Sequence, residues 1–170
     1  AMLSVQSGKG PGSQQDVSRQ KLMQVNAQLV EAIKNRIEAQ IKYKNALEFL
    51  PDPEKAESIP EAVNSPVIIA IKEQEVKLLR EKAEKSEKFG PKHHIMVSLN
   101  QGIENLRKKK LQEIENIVEA MKSKYEMALN QENSLQKVLA NSQNEIISRD
   151  KVAIEYQVLQ QEAESSRGLY

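Results

Sequence analysis

The residues best suited to chemistry in this 170-residue chain are few and scattered. His93-His94 is its only pair of histidines, and adjacent imidazoles on a turn could take a metal. A metal centre needs a third ligand at fixed spacing, and cysteine is absent, so the pair reads as a capping or turn element. Arg107-Lys108-Lys109-Lys110 is a basic run that could touch an anionic polymer or lipid headgroups. On a helix its four side chains point in different directions, with Lys110 on the apolar seam, and a solvated face is the better reading. The carboxylates sit singly on helix surfaces, with no apolar pocket to tune a pair for acid–base work. No phosphate loop, nucleophile elbow or metal motif occurs. The chain therefore reads as non-enzymatic, with no catalytic residue, cofactor or metal site.

Composition points the same way. Two Phe, four Tyr and no Trp in a chain that is 29% charged leave little to fill a wide core. Abundant Glu, Lys, Gln, Leu, Ile and Ala fit long helices that bury a narrow seam. A net charge of +1 gives no reason to invoke nucleic acid. No stretch approaches the ~18 apolar residues of a membrane span, and no signal-peptide core is present. The chain begins Ala1-Met2 and ends inside a helical pattern at Tyr170, so it is expected to be a soluble part of a longer protein.

The expected fold is all-α: a long antiparallel helical hairpin, or coiled coil, with a break between its first two helices. Residues 1–13, with Gly8, Gly10, Pro11 and Gly12, read as a flexible lead-in. An extended arm is expected over 14–148, with helices near 14–50, 66–88 and 94–147. In the first, Leu22, Val25, Leu29, Ala32 or Ile33, Arg36 or Ile37, Tyr43, Leu47 and Leu50 recur at steps near three and four. It would be about 54 Å long. Pro51, Pro53 and Pro60 then break the chain for a span long enough to do or bridge something. Ser65 can cap the next helix and Pro66 fits its first turn. That helix has two overlapping apolar sets, Ile68, Ile71, Leu78 and Ile69, Val76, Leu79, Ala83.

The tip is Phe89-Gly90-Pro91-Lys92-His93, where Gly90 can take the left-handed conformation that closes a helix and Pro91 cannot continue it. The third helix, about 80 Å long, has the best seam: Met96, Leu99, Ile103, Leu106, Lys110, Ile114, Ile117, Met121, Tyr125, Ala128, Glu132, Leu135 and Leu139. A stretched step near Lys110 would locally unwind a supercoil. The first two helices together nearly match the third in length. A broken ascending arm against one continuous descending helix is therefore favoured over an up-down-up bundle. After Ser148-Arg149-Asp150 a separate, base-proximal helix is expected over 149–170, with Ile154, Val158 and Glu162, or Leu159 and Ala163, on its face.

Three segments in order carry a resemblance. They are Ile59-Pro60-Glu61-Ala62-Val63-Asn64-Ser65-Pro66-Val67-Ile68, then Lys88-Phe89-Gly90-Pro91-Lys92-His93 leading into His94-Ile95-Met96, then Glu155-Tyr156-Gln157-Val158-Leu159-Gln160-Gln161-Glu162-Ala163-Glu164 ending Arg167-Gly168-Leu169-Tyr170. With Asn26-Ala27-Gln28-Leu29, they resemble the periplasmic coiled-coil region of bacterial polysaccharide co-polymerases, the chain-length-determinant (Wzz-type) proteins of exopolysaccharide and capsule export. The resemblance spans roughly 14–170. His94 stands where the family commonly has Pro, and Gln161 where it commonly has Arg. The resemblance implies a periplasmic portion of an inner-membrane protein, anchored by two transmembrane helices outside this stretch. It also implies a homo-oligomer formed through base and arms, partnership with a polysaccharide polymerase and export machinery, and in many members a tyrosine kinase in cis or trans. Two other classes compete: the helical hairpin of a periplasmic efflux adaptor, which lacks this Phe-Gly-Pro tip, and a soluble coiled-coil scaffold.

Overall fold

A computed structural model describes residues 11–167 of the chain. Every regular element among them is a helix: α1 (Pro11–Phe49), α2 (Pro53–Ala56), α3 (Pro60–Val63), α4 (Pro66–Ser86) and α5 (His94–Arg167). Residues 1–10 of the expected lead-in lie outside the described residues, and 11–13 are already helical.

The prolines of the connector start helices as well as ending one. Pro53, Pro60 and Pro66 each stand at the first turn of α2, α3 and α4, so the break contains two single helical turns. Asp52 caps α2 by accepting from the Glu54 and Lys55 amides at 3.1 and 3.5 Å. The Ser65 hydroxyl accepts from the Ile68 amide at 3.4 Å, which satisfies one orphan donor of α4. Ile59 offers no side-chain cap to α3.

At the other end α4 stops differently from the expectation. Among the described residues no glycine has a positive φ, so Gly90 is not left-handed. The Phe89 amide bonds back to the Lys85 carbonyl at 2.9 Å, and the His93 amide closes a turn on the Gly90 carbonyl at 3.0 Å. Pro91 therefore sits at the second position of a four-residue turn, which its fixed φ favours.

The chain divides into two units, Ala1–Arg36 with Ala128–Tyr170, and Ile37–Met127. α1 and α5 pack together and contribute to both. In the first unit, Leu22, Val25, Leu29, Ala32 and Arg36 of α1 turn inward at alternating steps of three and four. On α5 the matching stripe is Ala128, Glu132, Leu135, Leu139, Ser142 and Ile146. Arg149 donates to the Ser18 hydroxyl at 3.3 Å and pairs with Glu145 one turn back at 2.8 Å.

No break falls at Ser148-Arg149-Asp150. α5 runs through to Arg167, so the expected separate helix over 149–170 is the continuation of α5 within the described residues. Those three residues include neither Gly nor Pro, and the Arg149–Glu145 pair bridges the span. From 147 to 167 every residue is exposed, including Ile154, Val158 and Leu159.

The second unit holds the thickest core. Ala46 of α1, Ala56, Ile59 and Ala62 of the connector, Ile68 of α4, and Ile114, Val118 and Met121 of α5 form one buried cluster. Tyr43, Phe49, Leu50 and Ile117 pack on its rim, and Tyr43 stacks on Tyr125 with ring centroids 6.3 Å apart. Of the two apolar sets on α4, the one with Ile68, Ile71 and Leu78 turns inward, while Ile69, Val76, Leu79 and Ala83 are exposed. A Cβ on Gly102 would lie 3.1 Å from Leu78 Cδ1, so α4 and α5 approach closely at that point.

Candidate functional site

Two features of the second unit gather side chains whose arrangement could act: the turn between α4 and α5, and a charged cluster beside the buried core.

At the turn, the half-buried Phe89 ring stacks on His93 with centroids 4.2 Å apart, and His93 lies 4.4 Å from the His94 ring. His93 Nδ1 accepts from the Ile95 amide at 3.3 Å, and its carbonyl accepts the Val97 amide at 3.0 Å. His93 thus starts α5 as an N-cap, with one ring nitrogen occupied by the backbone. Gly90, Pro91 and Lys92 are exposed. Among the described residues no three His, Asp or Glu lie where they could hold a metal ion.

The cluster is a chain of alternating charge across three elements. Lys72 of α4 lies 3.0 Å from one Glu57 oxygen. The other Glu57 oxygen is 2.6 Å from Lys110 Nζ of α5. Lys110 also reaches one Glu75 oxygen at 2.7 Å, and Arg107 Nε meets the other at 2.8 Å. The four carboxylate oxygens are thus met by three cations, with Lys110 shared between Glu57 and Glu75. The Lys110 side chain is only 8% exposed and that of Glu75 only 11%, where an unpaired charge would be costly.

Burial pushes the Glu57 carboxyl up, but hydrogen bonds to Lys110 and Lys72 and the charges of both outweigh it, holding it below its ordinary value of 4.5. Glu75 is lowered in the same way, burial being outweighed by Arg107 and Lys110. Burial alone would pull the Lys110 ammonium down; its bonds to Glu57 and Glu75 reverse that and raise it above 10.5.

Arg107, Lys108 and Lys109 are exposed, as expected of a solvated face, and what that reading lacked is the pairing of Arg107 and Lys110 with Glu75 and Glu57. Lys110 alone of the four is buried. The reason is the α5 stripe itself, which runs Leu106, Lys110, Ile114, Val118 in steps of four before returning to alternation. Each step of four over-rotates a straight helix relative to the seven-residue repeat. The stripe turns there to meet the connector as well as α4.

Of the seam residues expected on α5, Leu99, Ile103, Ile114 and Met121 are buried, and Leu106 and Ile117 are half-buried. Val118, 4% exposed, takes the deep position beside Ile117 that the sequence reading assigned to Ile117. Ser65 and Pro66 stand at the start of α4. Glu57, Lys72 and Glu75 were missed. Glu75 had a signal, since it stands on the Ile68, Ile71, Leu78 stripe where a lone charge needs a partner; Glu57 had none. In the first unit Arg36 Nε bonds Glu132 at 2.7 Å, and Gln136 donates to the same carboxylate at 3.1 Å.

No helix among the described residues is long and apolar enough to cross a membrane. No protein-family model, curated protein or solved structure matches the chain.

Proposed function

We propose that the chain is the non-enzymatic coiled-coil arm of a polysaccharide co-polymerase of the chain-length-determinant type, in the periplasmic portion of an inner-membrane protein. In this reading α1 and α4 form a broken ascending arm and α5 the continuous descending one, joined at the Phe89–His93 tip. The arm serves as a spacer and packing surface beside the polymerase and export machinery, with a homo-oligomeric parent and a kinase in cis or trans as the resemblance implies.

The observation that carries the reading is the opposed order of the contacts within each unit. Ser18 meets Arg149 while Arg36 meets Glu132; Glu75 meets Arg107 while Leu78 faces Gly102. Steps up one helix are steps down the other, on stripes with coiled-coil spacing. Two of the resembling segments fall at the points where such an arm must be specified. Ile59–Ile68 spans the connector and the start of α4, and Lys88–Met96 spans the turn into α5.

The test uses the full-length parent in its host. An alkaline phosphatase fusion at Lys92 is expected to be active, and deletion of residues 66–121 is expected to change the length distribution of the exported polysaccharide on a gel. An inactive fusion with unaltered polymer would instead leave a cytoplasmic scaffold.

A further inference from the structure

The connector is held to the helices around it by three buried side chains and by a small set of charged contacts. Ala56, Ile59 and Ala62 are its buried side chains, two of them alanines with small apolar area. Its charged attachment is Glu57, which takes Lys72 of α4 and Lys110 of α5 on separate oxygens. Glu61 adds an outer contact to Lys42 of α1 at 3.5 Å, with Lys42 largely exposed. Lys110 is the shared member, because the same ammonium holds Glu75, which Arg107 anchors from the other side. Among the described residues no buried side-chain nitrogen or oxygen lacks a hydrogen-bond partner, so the cluster is complete as it stands.

We infer that residues 52–65 form a latch that Lys110 holds shut, and that removing charge from Glu57 and Glu75 releases this segment from α4 and α5 before the helices themselves separate. The groups facing the latch are Lys72 and Glu75 of α4, Arg107 and Lys110 of α5, and Lys42 of α1. All but Glu75 are cations, so protonating Glu57 and Glu75 leaves Lys72, Lys110 and Arg107 around the segment without their carboxylates, and only Lys42 keeps its partner, Glu61. Opening would uncover Ala46, Ile68 and Ile114, where the last turns of α1, the start of α4 and the middle of α5 meet. The latch would thus be a hinge that acid opens and neutral pH closes. It rests on these contacts alone and stands apart from the proposed function.

The chain has no cysteine, so one introduced thiol reports on one place. Ala62→Cys in the connector and, separately, Ala32→Cys in the first unit replace alanines that are 0% and 3% exposed. Each full-length variant is labelled with dithiodipyridine, which reacts in acid, over a descending pH series. The expected result is that Cys at 62 becomes at least about tenfold more reactive at a pH where Cys at 32 is still protected, because a local opening precedes global unfolding. Adding Lys110→Met is expected to raise labelling at 62 to the open level already at neutral pH. Glu57→Gln, a milder change should Lys110→Met fail to fold, is expected to raise it in the same direction while helicity by circular dichroism is retained. Thiols at 62 and 32 that become reactive together, or a Glu57→Gln protein whose thiol at 62 stays as protected as the parent's, would overturn the latch.

Discussion

The two units place charge on an otherwise apolar stripe in different ways. In the first, Arg36 and Glu132 meet across α1 and α5, with Arg36 22% and Glu132 10% exposed at the side chain, and Gln136 completes the carboxylate. Two helices are held at one level. In the second, five side chains from the connector, α4 and α5 form one alternating chain around Lys110. The difference teaches what such a layer is for. A charged pair costs desolvation that its attraction only partly returns, so its value lies in which neighbours it permits. Across two parallel stripes one pair suffices to mark a level. Where a third segment must dock between two helices, a branching network specifies all three at once.

The comparison can be broken most directly at Lys110. Lys110→Met keeps the volume but leaves two carboxylates without their shared cation, and should destabilise the chain by about 3 kcal/mol in urea unfolding. A cost near that of an exposed pair would mean that the network holds nothing. Acid should act on the second unit next. Glu57 and Glu75 are held below 4.5 in the folded chain, so their stabilisation is complete above that value and is lost as pH falls through their lower folded values. Lys110 works in the opposite sense: its contribution is full below 10.5 and is lost as pH rises through its raised value. Stability should therefore show a plateau at intermediate pH, and Lys110→Met should flatten the acid limb.

Smaller effects sharpen the contrast. Arg36→Met should cost about 1.5 kcal/mol, since Gln136 still donates to Glu132 and a hydrogen bond to a charged group is worth roughly that much; an equal loss for Arg36 and Lys110 would erase the distinction between the layers. The smallest change expected is at the turn. Gly90 has no positive φ and a Cβ there would meet nothing within 4 Å, so Gly90→Ala should stabilise by about 0.5 kcal/mol through the unfolded chain. A loss of similar size would point to a left-handed residue.

Much of the helical plan was legible in the amino-acid order. The Ser65-Pro66 start, the stop before Pro91 and the stripe from Leu99 to Met121 follow from local rules: a hydroxyl that caps, a ring that lacks N–H, and apolar spacing that returns every three or four residues. Those rules act over a few residues, so the chain alone reveals them. They also led astray where two local readings were equally good. Gly90 is free to adopt a left-handed angle, but the turn closed by the His93 amide needs none. Ser148-Arg149-Asp150 looked like a joint, and nothing in it stops a helix.

What tertiary structure alone decided is which face meets which. Either set on α4 could have been buried, and only the approach of α5 at Gly102 selects Ile68, Ile71 and Leu78. Ala46 and Val118 lie in the core although Leu47 and Ile117 are the larger neighbours, because the position around the helix, not side-chain size, sets depth. Glu57 comes to Lys110 across 53 positions of sequence only because two proline-started turns fold the connector back over α5. Periodicity is a property of one helix. The pairing of charges is a property of the space between helices, and no one-dimensional pattern encodes it.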